Sequence, residues 1–505
     1  MPLLRVKIRQ FANAVLDRAL ERMNRRSRIF TAAFSCLALA LSISPRLVVS
    51  FLLLLPKSIA ARKKIRLGIA NSLFQLDYPT EALQYLDKSS QPNPMSTDEC
   101  LLRTMCLYHG MGRFRDAMAL LTGVNERYLE EVRSFGLAES PFRVLESVWV
   151  RHIGHTAMID YVVKLGILEG RQREETILYV PQGSRIANRF LVQQVAAHVR
   201  LIERPADLPF SPSAVQALHY DFLGPRMRDQ STAYYWEIAG KTHAQWHRER
   251  KAPLFAISAE TKARGWAALR ALGVPEGAWF VALHVREGTW DKRKPGNHGI
   301  RNAEISTYFP AIFEITRKGG WVIRIGDPSM TPLPQLPNVI DYCHSEIRSD
   351  WMDIFVLACC RFFVGTNSGP AFVPSMYGVP SVLTNWWPAG ERPWQAADIF
   401  IPKMLRRLSN DSHLTLSETL REPFSWCYNR RYLADHGHVR LEDDDPEIIR
   451  AAVEEMLIRL DGGMTDGADT AELRSRADAI YLAHGVVGMS QLPREFLHRH
   501  RVLIA

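Results

Sequence analysis

Ala278-Trp279-Phe280-Val281-Ala282-Leu283-His284-Val285 (AWFVALHV) is a near-continuous apolar run of strand length. Such a run marks a strand buried on both faces, as in a parallel sheet covered by helices. The residues that follow repeat the theme. Arg301-Asn302 and Tyr308 to Thr316 start and fill a helix that Gly319-Gly320 ends. Trp321 to Ile325 is the next strand, closed by Gly326-Asp327, and Val339-Ile340-Asp341 is a short one. Asp350 to Cys360 is helical, Arg361 to Val364 is a strand, and Val379 to Asn385 is the last clear strand. Strand–helix alternation of this kind implies an α/β unit on a parallel sheet.

Ligands of open α/β sheets bind beyond the carboxyl ends of the strands, which brings two segments forward. One is His284-Val285-Arg286-Glu287-Gly288, where Arg286 stands where a guanidinium can hold a diphosphate bidentately. A structural salt bridge is the rival reading of that arginine. The other is Gly365-Thr366-Asn367-Ser368-Gly369-Pro370, a turn of small residues between strand and helix. Its backbone N–H groups and hydroxyls suit an anionic leaving group. No GxxxxGK[ST] is present and no GxGxxG follows a first strand, so a P-loop enzyme and a nicotinamide dehydrogenase are disfavoured.

Upstream, a second α/β stretch runs from about 145 to 255. Ser147 to Val150 reads as a buried strand, Arg151 to His155 (RHIGH) as a loop, Thr156 to Leu168 as a helix and Ile177 to Val180 as another strand. Gly154 would permit a tight strand-to-helix turn whose helix start opens toward a cleft. His155, at that turn, is either a substrate contact or simply an exposed loop histidine.

Between 60 and 140 the pattern is helical and repeats. Leu73-Phe74 and Leu107-Tyr108 are 34 residues apart, and Ala82 and Ala117 are 35 apart. That period is close to the tetratricopeptide helix–turn–helix unit, in which a small Ala lets paired helices approach. The segment is expected to dock a partner or act as a spacer; a generic helical linker is the bland alternative.

The first 28 residues are basic and amphipathic, with eight Lys or Arg from Arg5 to Arg28. An apolar run from Ile29 to Leu55 follows, broken by Pro45-Arg46, and then Lys57, Arg62, Lys63, Lys64 and Arg66. A straight membrane helix needs about 20 apolar residues. A mid-membrane arginine costs about 2.5–3.5 kcal/mol, and both basic flanks prefer the cytoplasm. A re-entrant or monotopic anchor satisfies both flanks. A single span, a buried hairpin and a cleaved signal peptide are the alternatives.

The chain has 505 residues, 47% apolar and 23% charged, with net charge +10. That balance is globular, long enough for two to four units, and favours anionic partners without choosing among them. The cationic residues concentrate at the N-terminal apolar run, where acidic lipid explains them, so a nucleic-acid partner is not expected. Seven scattered cysteines with no CxxC argue against a disulfide framework. With no HExxH, zinc-type spacing or EF-hand loop, neither a metal nor another cofactor is expected.

The stretches HVREGTWDKRKPGNHGIRNAEISTYFPAIFEITRKGGWVIRIGD and SDWMDIFVLACCRFFVGTNSGPAFVPSMYGVP resemble a bacterial family of surface-polysaccharide glycosyltransferases. So do RHIGH and the ending Gln491 to Ile504. The resemblance spans about 145–505. More distantly, His284-Val285-Arg286 resembles the HxR motif of fucosyltransferases with two Rossmann domains, whose arginine binds the β-phosphate of GDP-fucose.

The resemblance implies a GT-B fold, two Rossmann-like domains, and transfer of a sugar from a nucleotide-sugar to a glycan, lipid-linked or protein acceptor. The expected layout is an anchor (1–58), a tetratricopeptide-like segment (59–140), an acceptor domain (141–255), a nucleotide-sugar domain (256–460) and a helical tail (461–505). The expected location is the cytoplasmic face of the inner membrane. The donor set is His284, Arg286, Asn302, Gly326, Asp327, Thr366, Asn367, Ser368 and Gly369. Arg286 and the Thr366–Gly369 turn would take the diphosphate, and Gly326-Asp327 the ribose or base. The base is a choice among Glu287, Asp291 and His155; Asp353 reads as a helix-surface acid. The alternative function is a non-catalytic sugar-nucleotide-binding scaffold in a polysaccharide assembly complex.

Overall fold

In the computed structural model the described residues are 63–87, 96–288, 299–463 and 466–504. The expected anchor (1–58) and the candidate base Asp291 lie outside them. No helix among the described residues is long and apolar enough to cross a membrane.

The helical segment is built from α1 (Lys63–Gln75) and α2 (Pro79–Asp87), which fold back on one another, followed by α3 (Thr97–Met105) and α4 (Phe114–Ser134). A π-turn, Cys106–Gly110, joins α3 to the α4 approach. Of the spaced pairs, Leu73-Phe74 lie on α1 and Leu107-Tyr108 on the π-turn; Ala82 on α2 and Ala117 on α4 are buried. The pairs approach closely at Gly110, where a Cβ would sit 2.4 Å from the Pro79 ring.

The first α/β half carries β1 (Arg143–Leu145), α5 (Ile153–Leu168), β2 (Thr176–Tyr179), α6 (Arg189–Ala196) and β3 (Arg200–Ile202). The three strands are parallel in the order β1-β2-β3. Helices α7 (Tyr235–Arg248) and α8 (Ala259–Ala271) lead out of it. Ser147–Val150, expected as a strand, is instead a 3-10 turn, and the paired strand lies just before it. Its apolar residues are buried because the turn is packed and bonded on all sides. The Trp149 indole donates to the Tyr220 carbonyl (3.2 Å), and Ala187 N–H donates to the Val150 carbonyl (2.8 Å). A short apolar run cannot by itself distinguish a buried strand from a buried turn.

The second half begins with β4 (Phe280–His284), then α9 (Phe309–Arg317), β5 (Trp321–Arg324), β6 (Val339–Ile340) and α10 (Asp350–Cys359). It continues with β7 (Phe363–Thr366), α11 (Val373–Met376), β8 (Ser381–Trp386) and β9 (Ile399–Pro402). All six strands are parallel, in the order β6-β5-β4-β7-β8-β9. Every residue of β4 is buried, as its unbroken apolar run requires. Gly319, at φ +82, closes α9, a conformation that favours glycine. From β4 the sheet grows one way through β5 and β6 and the other way through β7, β8 and β9. The strand order therefore reverses between β4 and β7, the doubly wound arrangement with its crevice at that point.

Beyond β9 come β10 (Met404–Arg407), α12 (Leu416–Thr419), α13 (Arg430–Gly437) and β11 (Val439–Glu442), with β10 and β11 paired antiparallel. Helices α14 (Pro446–Leu460), α15 (Ala468–Ala483) and α16 (Arg494–Arg499) close the chain. Sequence pattern stopped at β8 because Pro402 and Lys403 interrupt the apolar alternation that follows. Arg474 on α15 ties this C-terminal part to α14 through Glu455 (2.8 Å) and pairs with Asp466 in the connection between the two helices. It also packs on the first half, Val487 lying against Gly240 of α7.

One buried carboxylate joins three segments. Glu391 accepts hydrogen bonds from Tyr108 of the helical segment (2.7 Å), Tyr234 of the first half (2.5 Å) and Tyr428 of the second (3.0 Å). Burial pushes the Glu391 carboxyl above its ordinary range, and the tyrosine hydroxyls pull it back. Removing the acceptor strands several buried hydroxyls at once. Glu391→Ala is expected to destabilise the fold by about 3–5 kcal/mol, as loss of one member of a buried charged network does. Glu391→Gln, which keeps an acceptor oxygen, should cost much less; thermal melts of the two variants check the ranking.

Candidate functional site

The carboxyl ends of β4 and β7 are stitched together where the strand order reverses. Thr366 Oγ1 accepts a hydrogen bond from the Arg286 backbone N–H (3.0 Å). The His284 imidazole lies between Ile325 and Ser368, with Nδ1 3.2 Å from the Ile325 carbonyl and Nε2 3.2 Å from Ser368 Oγ. A carbonyl can only accept, so Nδ1 carries the proton and Nε2 accepts from the Ser368 hydroxyl. Burial and the cations Arg286 and Arg324 drive the imidazole pKa down to about 4, so this ring is neutral at pH 7. Gly326 covers it: a Cβ there would meet Met330 Sδ at 2.3 Å and approach His284 Nδ1 at 3.6 Å.

Arg286 is 5% exposed, and its Nη1 donates to Asn302 Oδ1. Asn302 is itself anchored, because its carbonyl accepts from Lys403 Nζ (2.9 Å). Lys403 is fully buried and paired with Asp443. A chain of contacts, Asp443 to Lys403 to Asn302 to Arg286, therefore sets the guanidinium in place.

The other expected residues divide. Ser368 and Gly369 stand at the crevice. Asn367 turns inward, donating from Nδ2 to the Trp387 carbonyl (2.5 Å), and the Thr366 side chain is 0% exposed. Both side chains are bonded within the protein, Thr366 to the Arg286 N–H and Asn367 to the Trp387 carbonyl. Asp327 is exposed and caps its own turn by accepting from Ser329 N–H (2.9 Å). Glu287, one of the candidate bases, is engaged elsewhere in this structure. Its carboxylate is taken by Arg324 Nη2 (2.6 Å) and by the Thr331 N–H and hydroxyl (2.8 Å each). It serves as counter-charge to a guanidinium that is 0% exposed. Asp353, in the first turn of α10, is raised to about 6 by burial and accepts from the Tyr342 hydroxyl (2.8 Å).

The RHIGH turn meets the small-residue turn directly. A Cβ on Gly154 would lie 2.8 Å from Gly369 Cα, so the start of α5 abuts the Gly369–Phe372 turn backbone to backbone, with Ile153 and Phe372 alongside. Next to this contact, His155 Nδ1 is 3.1 Å from the Val148 carbonyl, and its ring stacks on Phe222 with centroids 4.0 Å apart. The Nδ1 proton is fixed by the same logic as in His284, leaving Nε2 as the acceptor. Desolvation takes this ring down to about 4, with smaller contributions from His152 and Arg301.

Sequence reading missed Arg324 and Lys403. Each is a lone cation inside an otherwise apolar stretch, WVIRI and IFIPKML, and that is the signal that marks a buried, paired charge. It also missed one trio of metal-ligand types, Asp341, Cys343 and His344, whose ligand atoms lie within 4.8 Å of one another. There the Asp341 carboxylate accepts from Arg324, Leu333 N–H, Cys343 and His344.

No protein-family profile matches the chain, and no curated protein matches it. Among solved structures it is similar to a glycosyl transferase family 9 protein from Veillonella parvula. Identity is 11% over 63% of this chain and 97% of that one, with a TM-score of 0.38. It is also similar to the iron-containing dodecameric glycosyltransferase TibC of enterotoxigenic E. coli. Identity there is 12% over 64% of this chain and 77% of that one, with a TM-score of 0.34. A second TibC structure, a complex with ADP-D-beta-D-heptose, is 10% identical with a TM-score of 0.33. At that distance the strand order and the crevice of this chain rest on its own geometry.

The two depressed histidines of the site contribute a pH dependence, in the same direction as the buried His109 and His243. An unfolded imidazole takes up its proton near 6.5, whereas His284 and His155 do so only near 4 when folded. Between those values the unfolded state binds more protons, so stability is present above about pH 6.5 and is lost as the pH falls toward 4. Urea melts at pH 7 and pH 5 should show that loss, and His284→Asn should flatten the slope.

Proposed function

We propose that the chain is a glycosyltransferase of the GT-B type that moves a sugar from a nucleoside-diphosphate sugar to an acceptor hydroxyl. One observation carries this reading. A buried arginine, Arg286, is fixed at the β4/β7 reversal by Thr366 and Asn302, and a second parallel α/β half docks there through Gly154 and Gly369. A doubly wound sheet receives its nucleotide at such a reversal, and the facing half supplies the other wall.

In this reading Arg286 neutralises the diphosphate as negative charge develops on it, and the fork of the guanidinium suits two phosphate oxygens. Ser368 and the backbone of the Gly369 turn line the same pocket, with His284 holding Ser368 in place. His155 is the base. Its Nε2 takes the proton of the acceptor hydroxyl while the acceptor oxygen bonds to the anomeric carbon. The bond from that carbon to the phosphate oxygen breaks, and its electron pair leaves with the nucleoside diphosphate. One displacement of this kind inverts the anomeric centre. A pKa near 4 makes the resting ring a weak base, but a diphosphate bound beside it raises that value by stabilising the cationic form.

The finer expectations belong to the same proposal: GDP-fucose as donor, a glycan, lipid-linked or protein acceptor in surface-polysaccharide synthesis, and work at the cytoplasmic face of a membrane. The helical segment would dock a protein partner, and neither metal nor other cofactor would take part.

Purified protein supplied with GDP-, UDP-, dTDP- and CMP-sugars should be stabilised by one nucleotide class in thermal shift and should release its nucleotide when acceptor is present. Arg286→Ala is expected to lower turnover by about 10²–10³-fold with an unchanged melting curve. His155→Ala should lower kcat by about 10²-fold and leave donor affinity alone. Wild-type turnover in Arg286→Ala, or activity abolished by EDTA and restored only by Mg²⁺ or Mn²⁺, would sink the proposal. Donor binding with neither hydrolysis nor transfer would point to the scaffold.

A further inference from the structure

The first half has a second concavity, at the opposite end of its sheet from the crevice. Arg143 opens β1, and the crevice lies beyond the strands' other ends. The cavity holds about 440 Å³ and is lined by Arg143, Glu169, Arg171, His219, Arg226 and Arg228, among other residues. That volume is within the range of about 300–1,000 Å³ that small-molecule sites occupy.

Its cations are not equally satisfied. Arg143 and Arg171 both donate to the Glu169 carboxylate (2.9 Å each), and Arg143 also lies over the Tyr220 ring. Arg228 is exposed and reaches the Glu169 carbonyl at 3.4 Å. Arg226 is different. Its Nη2 donates to the Ala217 carbonyl at 3.3 Å, but its Nη1 is buried with no hydrogen-bond partner. Burial alone lowers its pKa, with no carboxylate among the causes. The other acids on the wall do not reach it. Glu175 accepts from Gln172 N–H (3.1 Å), and Glu139 is exposed. A short hairpin holds the guanidinium there: Met227 N–H donates to the Ser231 carbonyl (2.7 Å), and Arg226 bridges to Thr232.

Arg226 is half-buried, and a guanidinium nitrogen left without an acceptor there is costly; an anion brought beside the side chain offsets that cost. We infer that this cavity is a binding site for a phosphomonoester carried on a sugar-sized polar body, with Arg226 as its central contact and Arg228 at its mouth. Guanidinium is the side chain best matched to phosphate oxygens. The inference stands apart from the donor site and does not depend on it.

Calorimetric titration of the full chain with a hexose 6-phosphate tests it. Binding should weaken at least tenfold in Arg226→Gln, at least threefold in Arg228→Gln, and not at all in Arg286→Ala. Arg228 is exposed, so its substitution keeps the test valid should Arg226→Gln fail to fold. Unchanged affinity in Arg228→Gln, or in a folded Arg226→Gln, overturns the proposal. So does loss of binding in Arg286→Ala, which would place the ligand in the crevice, or preference for an uncharged hexose. Parallel sedimentation with phosphatidic acid vesicles separates the sources. Arg226-dependent binding to vesicles and not to the sugar phosphate assigns the phosphate to a lipid headgroup; the reverse assigns it to a glycan.

Discussion

A carboxylate kept from water needs donors, and Glu391 finds them only where three distant parts of the chain converge. Tyr108, Tyr234 and Tyr428 are separated by more than a hundred residues from one another, yet their hydroxyls meet on one side chain. An unpaired buried charge is among the most costly features a fold can carry. The helical segment, the first half and the second half are therefore held in one mutual arrangement. The interlocking aromatic rings nearby, with Phe114 stacked on Trp426 and Trp236 against Trp394, fill the space around that charge.

The crevice inherits its shape from this arrangement. Strand order alone would leave the β4 and β7 ends open to solvent on one side. The first half, once placed, brings Gly154 onto Gly369 and His155 beside the same turn. Within the second half, charges are organised in two layers. Arg324 is buried beneath and neutralised by Glu287 and Asp341, whereas Arg286 is steered toward the crevice by Asn302 and, behind it, Lys403. Two neighbouring residues, Arg286 and Glu287, thus take opposite fates, as alternation along an extended chain demands.

Much of this was legible in the residues. The unbroken apolar run at 280–284, the glycines ending α9 and the small-residue turn after β7 follow from local rules, and each stands close to where those rules put it. The exceptions have physical causes. Ser147–Val150 is apolar because a turn is buried, and periodicity does not tell the two apart. β9 was hidden because Lys403, which looks like a surface residue, is sealed in by Asp443 and Asn302. The pairing of Glu287 with Arg324, 37 positions away, is not visible to local pattern. Asn367 is polar and sits in a promising turn, yet its amide is spent on a backbone carbonyl. Pairings between residues remote in sequence are what local pattern cannot supply.

Two facing glycines have a mechanical consequence. Where Gly154 meets Gly369 the backbones of the two halves come together, with the Ile153 and Phe372 side chains packed alongside. Such a point can neither sink deeper nor carry a side chain. A widening of the crevice that kept this contact would rotate about it, as a lever turns on a fulcrum. Atoms close to that pivot, including the Ser368 hydroxyl, would move least, while the far rims would swing through the largest arc. The chemistry would stay in register even as the mouth opens to exchange its ligands.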